Sequence, residues 1–245
     1  MTQKWMLITG GSRGIGQALV THLQSRWNIV FTGRNEDSIN HTMLKAQALN
    51  TSTWVRGFCC DGSDEAEVST LAARLLADFG APSAIVHNAG MTKDALHIHQ
   101  TANEWREIMD NNLISIVNWN HQLLPVMMTE GHGSLVLMSS VSAVMGNSGQ
   151  TAYAASKAAM MGLARSLARE VGRFGIRVNC LAPGLIESDM IQAIPEQKLK
   201  ALRQNIPLRR LGHPQEVAQA VAFLTGEESR YMTGQTLILD GGLSA

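Results

Sequence analysis

The run Trp5-Met6-Leu7-Ile8-Thr9-Gly10-Gly11-Ser12-Arg13-Gly14-Ile15-Gly16 begins as an unbroken apolar stretch and turns through glycines. It then opens onto Ile15, Ala18, Leu19 and Leu23 at three- and four-residue spacing. An apolar run without alternation marks a strand covered on both faces, and the spacing after it is that of a helix with one buried stripe. Glycine at the turn lets backbone or a ligand approach closely, and the free amides opening the helix suit a pyrophosphate. The commoner G-x-G-x-x-G pattern is not met, because Leu19 stands where its third glycine belongs. A tight strand-helix corner without a ligand would use the same residues, so the turn takes its meaning from what accompanies it.

The pattern repeats outward from this stretch. Apolar runs bounded by Gly, Asn and Asp predict strands at 5–9, 28–32, 53–59, 84–87, 134–138, 177–181 and 236–239. Helical spacing falls between them, as in Val68, Leu71, Ala72, Leu75 and Phe79. Such alternation predicts an α/β fold: a single Rossmann-type domain over 1–245, with a doubly wound, parallel, seven-stranded sheet and helices on both faces. Residues 187–211 stand apart as polar and weakly periodic, and are expected to form a substrate lid. Pro125 is expected to kink or end the helix over 119–128.

Composition narrows the function classes. Hydrophobic residues make up 45% and charged residues 16%, ample for a sheet covered on both faces. The 20 basic and 20 acidic residues cancel, so neither nucleic acid nor a membrane surface is expected as a partner. No apolar run nears the ~20 residues of a membrane span, and the chain reaches Trp5 without a signal-peptide core. Cys59, Cys60 and Cys180 lack the spacing of a disulfide framework or zinc site, so a reducing cytoplasm is the expected location. His97, His99, His121 and His132 have no accompanying ligand spacing, and no metal is expected.

An acidic residue after the second strand would bond adenosine ribose hydroxyls and repel a 2′-phosphate, but this strand ends Thr32-Gly33-Arg34. Arg34 and Arg13 can clamp that phosphate, which points to NADP(H), although solvated surface arginines would read the same way. Tyr153 and Lys157 lie one turn apart on a helix rich in small residues. A phenol titrates near ~10, so an adjacent ammonium is expected to bring its phenolate within reach of neutral pH and let it act as a proton donor. Ser139 and Ser140 follow a strand at the edge where open α/β sheets bind ligands, and either hydroxyl can orient a carbonyl.

Taken together, residues 9–16, His87-Asn88-Ala89-Gly90, Asn112, Ser140, Tyr153, Lys157, Pro183-Gly184 and Asp240-Gly241-Gly242 resemble the short-chain dehydrogenase/reductase family over almost the whole chain. The resemblance implies an NADPH-dependent oxidoreductase in which Asn112, Ser140, Tyr153 and Lys157 are catalytic. It selects Ser140 over Ser139, lets Lys157 also bond the nicotinamide ribose, and gives Asn112 a water of a proton relay. Cofactor contacts are implied for Gly10, Ser12, Arg13, Gly14, Ile15, Gly16, Arg34, Asp61, Asn88, Ala89, Gly90, Pro183, Gly184, Ile186 and Ser188. Asn88 would brace the sheet, Asp61 would meet the adenine with Gly62 in place of the usual apolar neighbour, and Ser188 would bond the carboxamide.

Within the family the chain resembles members that reduce a 3-oxoacyl thioester held on an acyl carrier protein, as in fatty-acid or polyketide-type biosynthesis. The stretches concerned are 88–94, 145–150, 166–171 and 184–190. A homotetramer is implied, built by helices around 103–125 and 153–172 and the final strand. Two departures stand out: His87 replaces an asparagine, and Thr129-Glu130-Gly131-His132 lacks the lysine and arginine expected where the carrier docks. Arg173 and Arg177 offer compensation, and a specialised carrier or a coenzyme-A thioester becomes a further candidate. Met91, Met145 and Met190 read equally as an acyl pocket or as core. The competing readings are a dehydrogenase or reductase of a sugar, steroid or other small ketone, and a non-catalytic nucleotide-binding regulator.

Overall fold

The computed structural model describes residues 4–49, 51–188 and 196–245, with backbone only for 196–198. Seven strands form one sheet in the order β3-β2-β1-β4-β5-β6-β7, with every neighbouring pair parallel. They are β1 (Trp5–Ile8), β2 (Asn28–Gly33), β3 (Val55–Cys59), β4 (Ala84–His87), β5 (Gly133–Met138), β6 (Ile176–Pro183) and β7 (Thr236–Leu239). The order reverses between β1 and β4, which opens a crevice at the carboxyl ends of those two strands.

Alternation along β1 divides the core. Trp5 and Leu7 enter an apolar cluster with α3 (Glu65–Phe79), α5 (Ser115–Glu130) and α7 (Thr151–Val171). Met6 and Ile8 enter the opposite cluster, with α1 (Gly14–Leu23), α2 (Glu36–Gln47) and α9 (Pro214–Thr225). Each fully buried aliphatic side chain contributes roughly 1.5–3 kcal/mol, which explains why the strands read as continuous apolar runs. Cys59, Cys60 and Cys180 are free thiols. Among the described residues no helix is long and apolar enough to cross a membrane.

Local chemistry sets the helix ends. Asn35 caps α2 by accepting from the Ser38 amide at 2.9 Å, with Glu36 and Asp37 in the favourable first turn. Thr101 and Glu104 form a capping box on α4 (Ala102–Met109), which passes through a π turn at Asp110–Ile114 into α5. Of the two outcomes expected at Pro125, a kink or an end, the helix does not end there: α5 continues to Glu130 and stops at Gly131, whose φ is 75°. The amide that proline lacks would have served the carbonyl of His121, and both residues are exposed, so water can serve instead.

Three further boundaries depart from the sequence reading. β3 begins at Val55 rather than residue 53, because the Thr53 hydroxyl bonds the Gln24 carbonyl. β6 runs on to Pro183, held by its register with Leu239. The segment 187–211 contains α8 (Glu196–Gln204), and Leu199, Ile206 and Leu211 are buried in a small cluster, although the pattern looked weakly periodic. Positions 189–195 of that segment, including Met190, lie outside the described residues.

His87, at the end of β4, is 2% exposed, with Nε2 2.9 Å from Oδ1 of Asn120. Burial pushes its pKa down to about 4, only partly opposed by that hydrogen bond. An unfolded histidine titrates near ~6.5, so the unfolded chain binds the extra proton between these values. Stability from the neutral imidazole is therefore complete above ~6.5 and is lost as pH falls toward about 4, by on the order of 3 kcal/mol. Urea denaturation between pH 7 and 4.5 should show a steeper loss for the wild type than for His87→Asn; equal slopes would remove His87 from this account.

Candidate active site

The reversal point of the sheet is stitched by two side chains. The Thr9 hydroxyl accepts the amides of Asn88 and Ala89 at 3.1 Å each, and Asn88 Nδ2 donates to the carbonyls of Thr9 at 3.1 Å and Gly10 at 3.0 Å. Gly10 has a φ of +65°, and a Cβ on it would lie 2.8 Å from the Ala89 Cα. A Cβ on Gly16 would lie 2.0 Å from the Gly10 carbonyl oxygen, whereas the space beside Gly14 is open. Ser12 packs its hydroxyl against Gly33, and Arg13, exposed at the N-cap of α1, places no side chain over the amides of Gly14, Ile15 and Gly16. This open, glycine-lined turn at a helix start fits a dinucleotide pyrophosphate.

Arg34 extends from the end of β2, about half exposed. Its guanidinium donates to Asn111 Oδ1 at 3.1 Å and lies 4.0 Å from the Asp61 carboxylate. Burial pulls the Asp61 pKa up, but hydrogen bonds from the Ser63 hydroxyl and amide, with the Arg34 charge, hold it below the ordinary carboxylate value. Arg34 and Asp61 thus share one end of the crevice, oriented by Asn111, which sequence reasoning did not single out. The other end is formed by Pro183 and Gly184. The Pro183 carbonyl accepts the Val141 amide at 2.9 Å, and a Cβ on Gly184 would lie 2.7 Å from the Asp240 Cα. Ile186 is buried where it bridges to Gly212, and Ser188 follows, half-buried.

Between these ends lies the row of catalytic candidates. Lys157 is 4% exposed, and its ammonium donates to the Met138 carbonyl at 2.7 Å while standing 5.7 Å from the centre of the Tyr153 ring. A Cβ on Gly90 would lie 3.1 Å from that ammonium and 3.2 Å from Asn112 Oδ1, so Gly90 keeps the space between them open. Asn112, in the π turn, accepts the Met91 amide at 2.7 Å and donates to the Met91 carbonyl at 3.0 Å and the Ser156 hydroxyl at 2.9 Å. Ser156 in turn donates to the Tyr153 carbonyl at 2.7 Å.

Tertiary contacts separate the two serines. Ser139 is buried, and its hydroxyl donates to the Lys157 carbonyl at 2.8 Å. The Ser140 hydroxyl stands beside the Tyr153 phenol and accepts the Ser142 amide at 3.2 Å. The expected lowering of the phenol is not found. Burial raises the Tyr153 pKa above its ordinary value, the neighbouring Ser140 hydroxyl opposes this, and Asp94 adds to it. Lys157 is itself pushed down to about 8 by burial, and its ammonium faces a carbonyl rather than the phenol oxygen.

Sequence reasoning missed Met138, Ser156 and Asn111. Met138 acts through a backbone carbonyl, which leaves no signal in the side-chain pattern; Ser156 was visible only as a hydroxyl one turn beyond Tyr153. His97 lies 3.2 Å from the Thr151 hydroxyl and packs edge-on to Trp105. Among the described residues no group of three or more His, Cys, Asp or Glu is arranged to hold a metal.

A family model described as enoyl-(acyl carrier protein) reductase matches residues 10–244. The 3-oxoacyl-(acyl-carrier-protein) reductase of Escherichia coli (strain K12) is 37% identical over 243 residues, 98% of this chain and 97% of that protein. Nodulation protein G of Rhizobium sp. (strain N33) is 37% identical over 244 residues, 100% of this chain and 98% of that protein. The crystal structure of levodione reductase superposes with a TM-score of 0.94 at 29% identity, covering 100% of this chain and 98% of that one.

The Gly16→Ala substitution should disturb the turn, since no rotamer relieves a Cβ 2.0 Å from a backbone oxygen. Binding of a nicotinamide dinucleotide, followed by fluorescence titration, is expected to weaken at least tenfold. Unchanged affinity would disqualify the turn as the cradle.

Proposed function

We propose, for a chain that belongs to the short-chain dehydrogenase/reductase family, that it reduces the ketone of a 3-oxoacyl thioester to the 3-hydroxyacyl product with NADPH. The observation that carries the chemistry is the Tyr153 phenol, set beside Ser140 and flanked by the buried Lys157 ammonium next to the open space at Gly90. Near-full-length identity to carrier-protein reductases supports the substrate class. The whole chain acts as one domain, and the described part of 187–211 serves as a substrate lid seated on its inner, apolar side by Leu199, Ile206 and Leu211.

The cofactor, when bound, supplies the hydride. Its pyrophosphate suits the turn from Gly10 to Gly16, with Ser12 and Ile15, and its 2′-phosphate suits Arg34 and Arg13. Asp61 suits the adenine, while Asn88, Ala89 and Gly90 line the middle of the groove. Pro183, Gly184, Ile186 and Ser188 suit the carboxamide end.

Tyr153 is the acid. Burial raises its pKa, which keeps the proton on the phenol at neutral pH, the form a reduction needs. As negative charge grows on the carbonyl oxygen, Tyr153 transfers its proton there and Ser140 donates a second hydrogen bond. The Lys157 cation stabilises the phenolate left behind and holds the ribose hydroxyls. The Asn112 amide is already bonded to Met91 and Ser156, so a relay water is held by its main chain. A homotetramer built through α4, α5, α7 and β7 completes the reading.

A second reading, reduction of a small free ketone, draws on the likeness to levodione reductase. Purified protein with NADPH should consume it in the presence of 3-oxoacyl-carrier protein or acetoacetyl-coenzyme A; turnover of free ketones alone would reverse the order. Tyr153→Phe should lower kcat by roughly two to four orders of magnitude with NADPH binding nearly intact, and parental activity in that variant would end the mechanism. Arg34→Asp should shift preference toward NADH, and unchanged discrimination would show that Arg34 does not select. Because Lys157 is charged only below about 8, kcat for reduction should be level below that pH and fall as pH rises through it. A flat profile to pH 9.5 would contradict the role given to the ammonium.

A further inference from the structure

Opposite charges balance over the whole chain but not along it. Residues 198–212 carry five cations, Lys198, Lys200, Arg203, Arg209 and Arg210, and no carboxylate. Arg210 is committed to Glu216 by two bonds of 2.7 Å. Lys200 on α8 and Arg209 just beyond it are exposed. Among the described residues Arg209 is the one non-glycine with a positive φ, 57°. Its amide bonds the Ile206 carbonyl at 2.8 Å, and its guanidinium donates to the Gln204 carbonyl. Leu199, Ile206 and Leu211 anchor the inner side of the segment, which leaves the charged side outward.

The location matters as much as the charge. The segment leaves the fold after β6 and rejoins it through the Ile186–Gly212 bridge, closed by a 2.8 Å contact between Glu187 and His213. This is the carboxyl edge of the sheet, the edge that carries Ser140. The turn 129–132 precedes β5 and therefore lies at the opposite edge, where Glu130 is exposed. Arg177, expected to compensate there, instead directs its guanidinium inward to the carbonyls of Gly226 at 3.2 Å and Met232 at 3.4 Å. Arg173 remains exposed, stacked on Phe174.

We infer that the outer side of residues 199–210, centred on Lys200 and Arg209, is the docking surface for an acidic carrier protein that delivers the acyl thioester. This deepens the reading of the preceding subsection and rests on it. A carrier protein fits better than a free nucleotide, because the cations are strung along a helix and the chain beyond it. A compact phosphate group is held by donors that converge on one point, whereas an acidic protein face meets a spread of charge.

The test is anisotropy titration of a labelled, acidic acyl carrier protein against the full chain, together with turnover. Lys200→Glu/Arg209→Glu should weaken carrier binding at least tenfold at low salt and lower kcat/KM for the carrier-bound substrate through KM. Turnover of the uncharged N-acetylcysteamine thioester should stay within twofold, which also reports that the variant is folded; the single Lys200→Glu variant serves if the double one is not. Arg173→Glu should bind as the wild type does. Undiminished carrier binding in the charge-reversed variant, an equal loss in Arg173→Glu, or a loss confined to acetoacetyl-coenzyme A overturns the surface. Wild-type carrier binding without turnover of any thioester would sink the functional reading and leave the surface standing. Thioester turnover without salt-sensitive carrier binding would sink the surface alone.

Discussion

A buried ammonium must find an acceptor, and that of Lys157 finds the carbonyl of Met138 at 2.7 Å. The bond pins α7 to the last residue of β5, and much of the site follows from it. Ser139 and Ser140 continue directly from Met138, so the same anchor that fixes the lysine also fixes the serine loop. Tyr153 lies one turn earlier on α7 and meets Ser140 as a consequence. Because Ser139 spends its hydroxyl on the carbonyl of Lys157, the loop is tied to the helix twice, and the Ser140 hydroxyl is left to face the phenol.

The second tie runs across the point where the strand order reverses. The side chains of Thr9 and Asn88 make four hydrogen bonds between the end of β1 and the segment after β4, two to each other's residues, one to Gly10 and one from Ala89. They bring the backbones of Gly10 and Ala89 close enough to exclude a side chain between them. The glycine turn after β1 and the segment that leads to Gly90 are thus parts of one corner. Burial then sets the protonation states: it keeps the proton on Tyr153 and draws Lys157 down toward neutrality. At neutral pH the pair is therefore a phenol beside an ammonium, not a resting phenolate.

Electrostatics divide the molecule in a way that net charge conceals. Acidic side chains cluster near the start of α3, where Asp64 caps the helix and Glu65 and Glu67 fill its first turn. Cations gather along residues 198–210, beyond the carboxyl edge of the sheet. The His87–Asn120 pair shows how a ring at the end of β4 is accommodated: it reaches α5 and stays neutral because it is enclosed.

The sequence by itself determined the fold class, the number of strands and the identity of most side chains around the crevice. Those features depend on local periodicity, on glycine at turns and on residues at fixed spacing along one helix, as with Tyr153 and Lys157. It left open whether Pro125 kinks or ends α5 and showed no helix within 187–211, because solvent can replace a missing helix bond and tertiary burial can order a weakly periodic stretch. Tertiary structure alone decided which serine faces the phenol, that Arg177 turns inward, that Asn111 orients Arg34, and which way burial moves the Tyr153 pKa. Each of these depends on a partner distant in the chain or on a backbone carbonyl, and on the loss of water around a charge, none of which is written in the order of side chains.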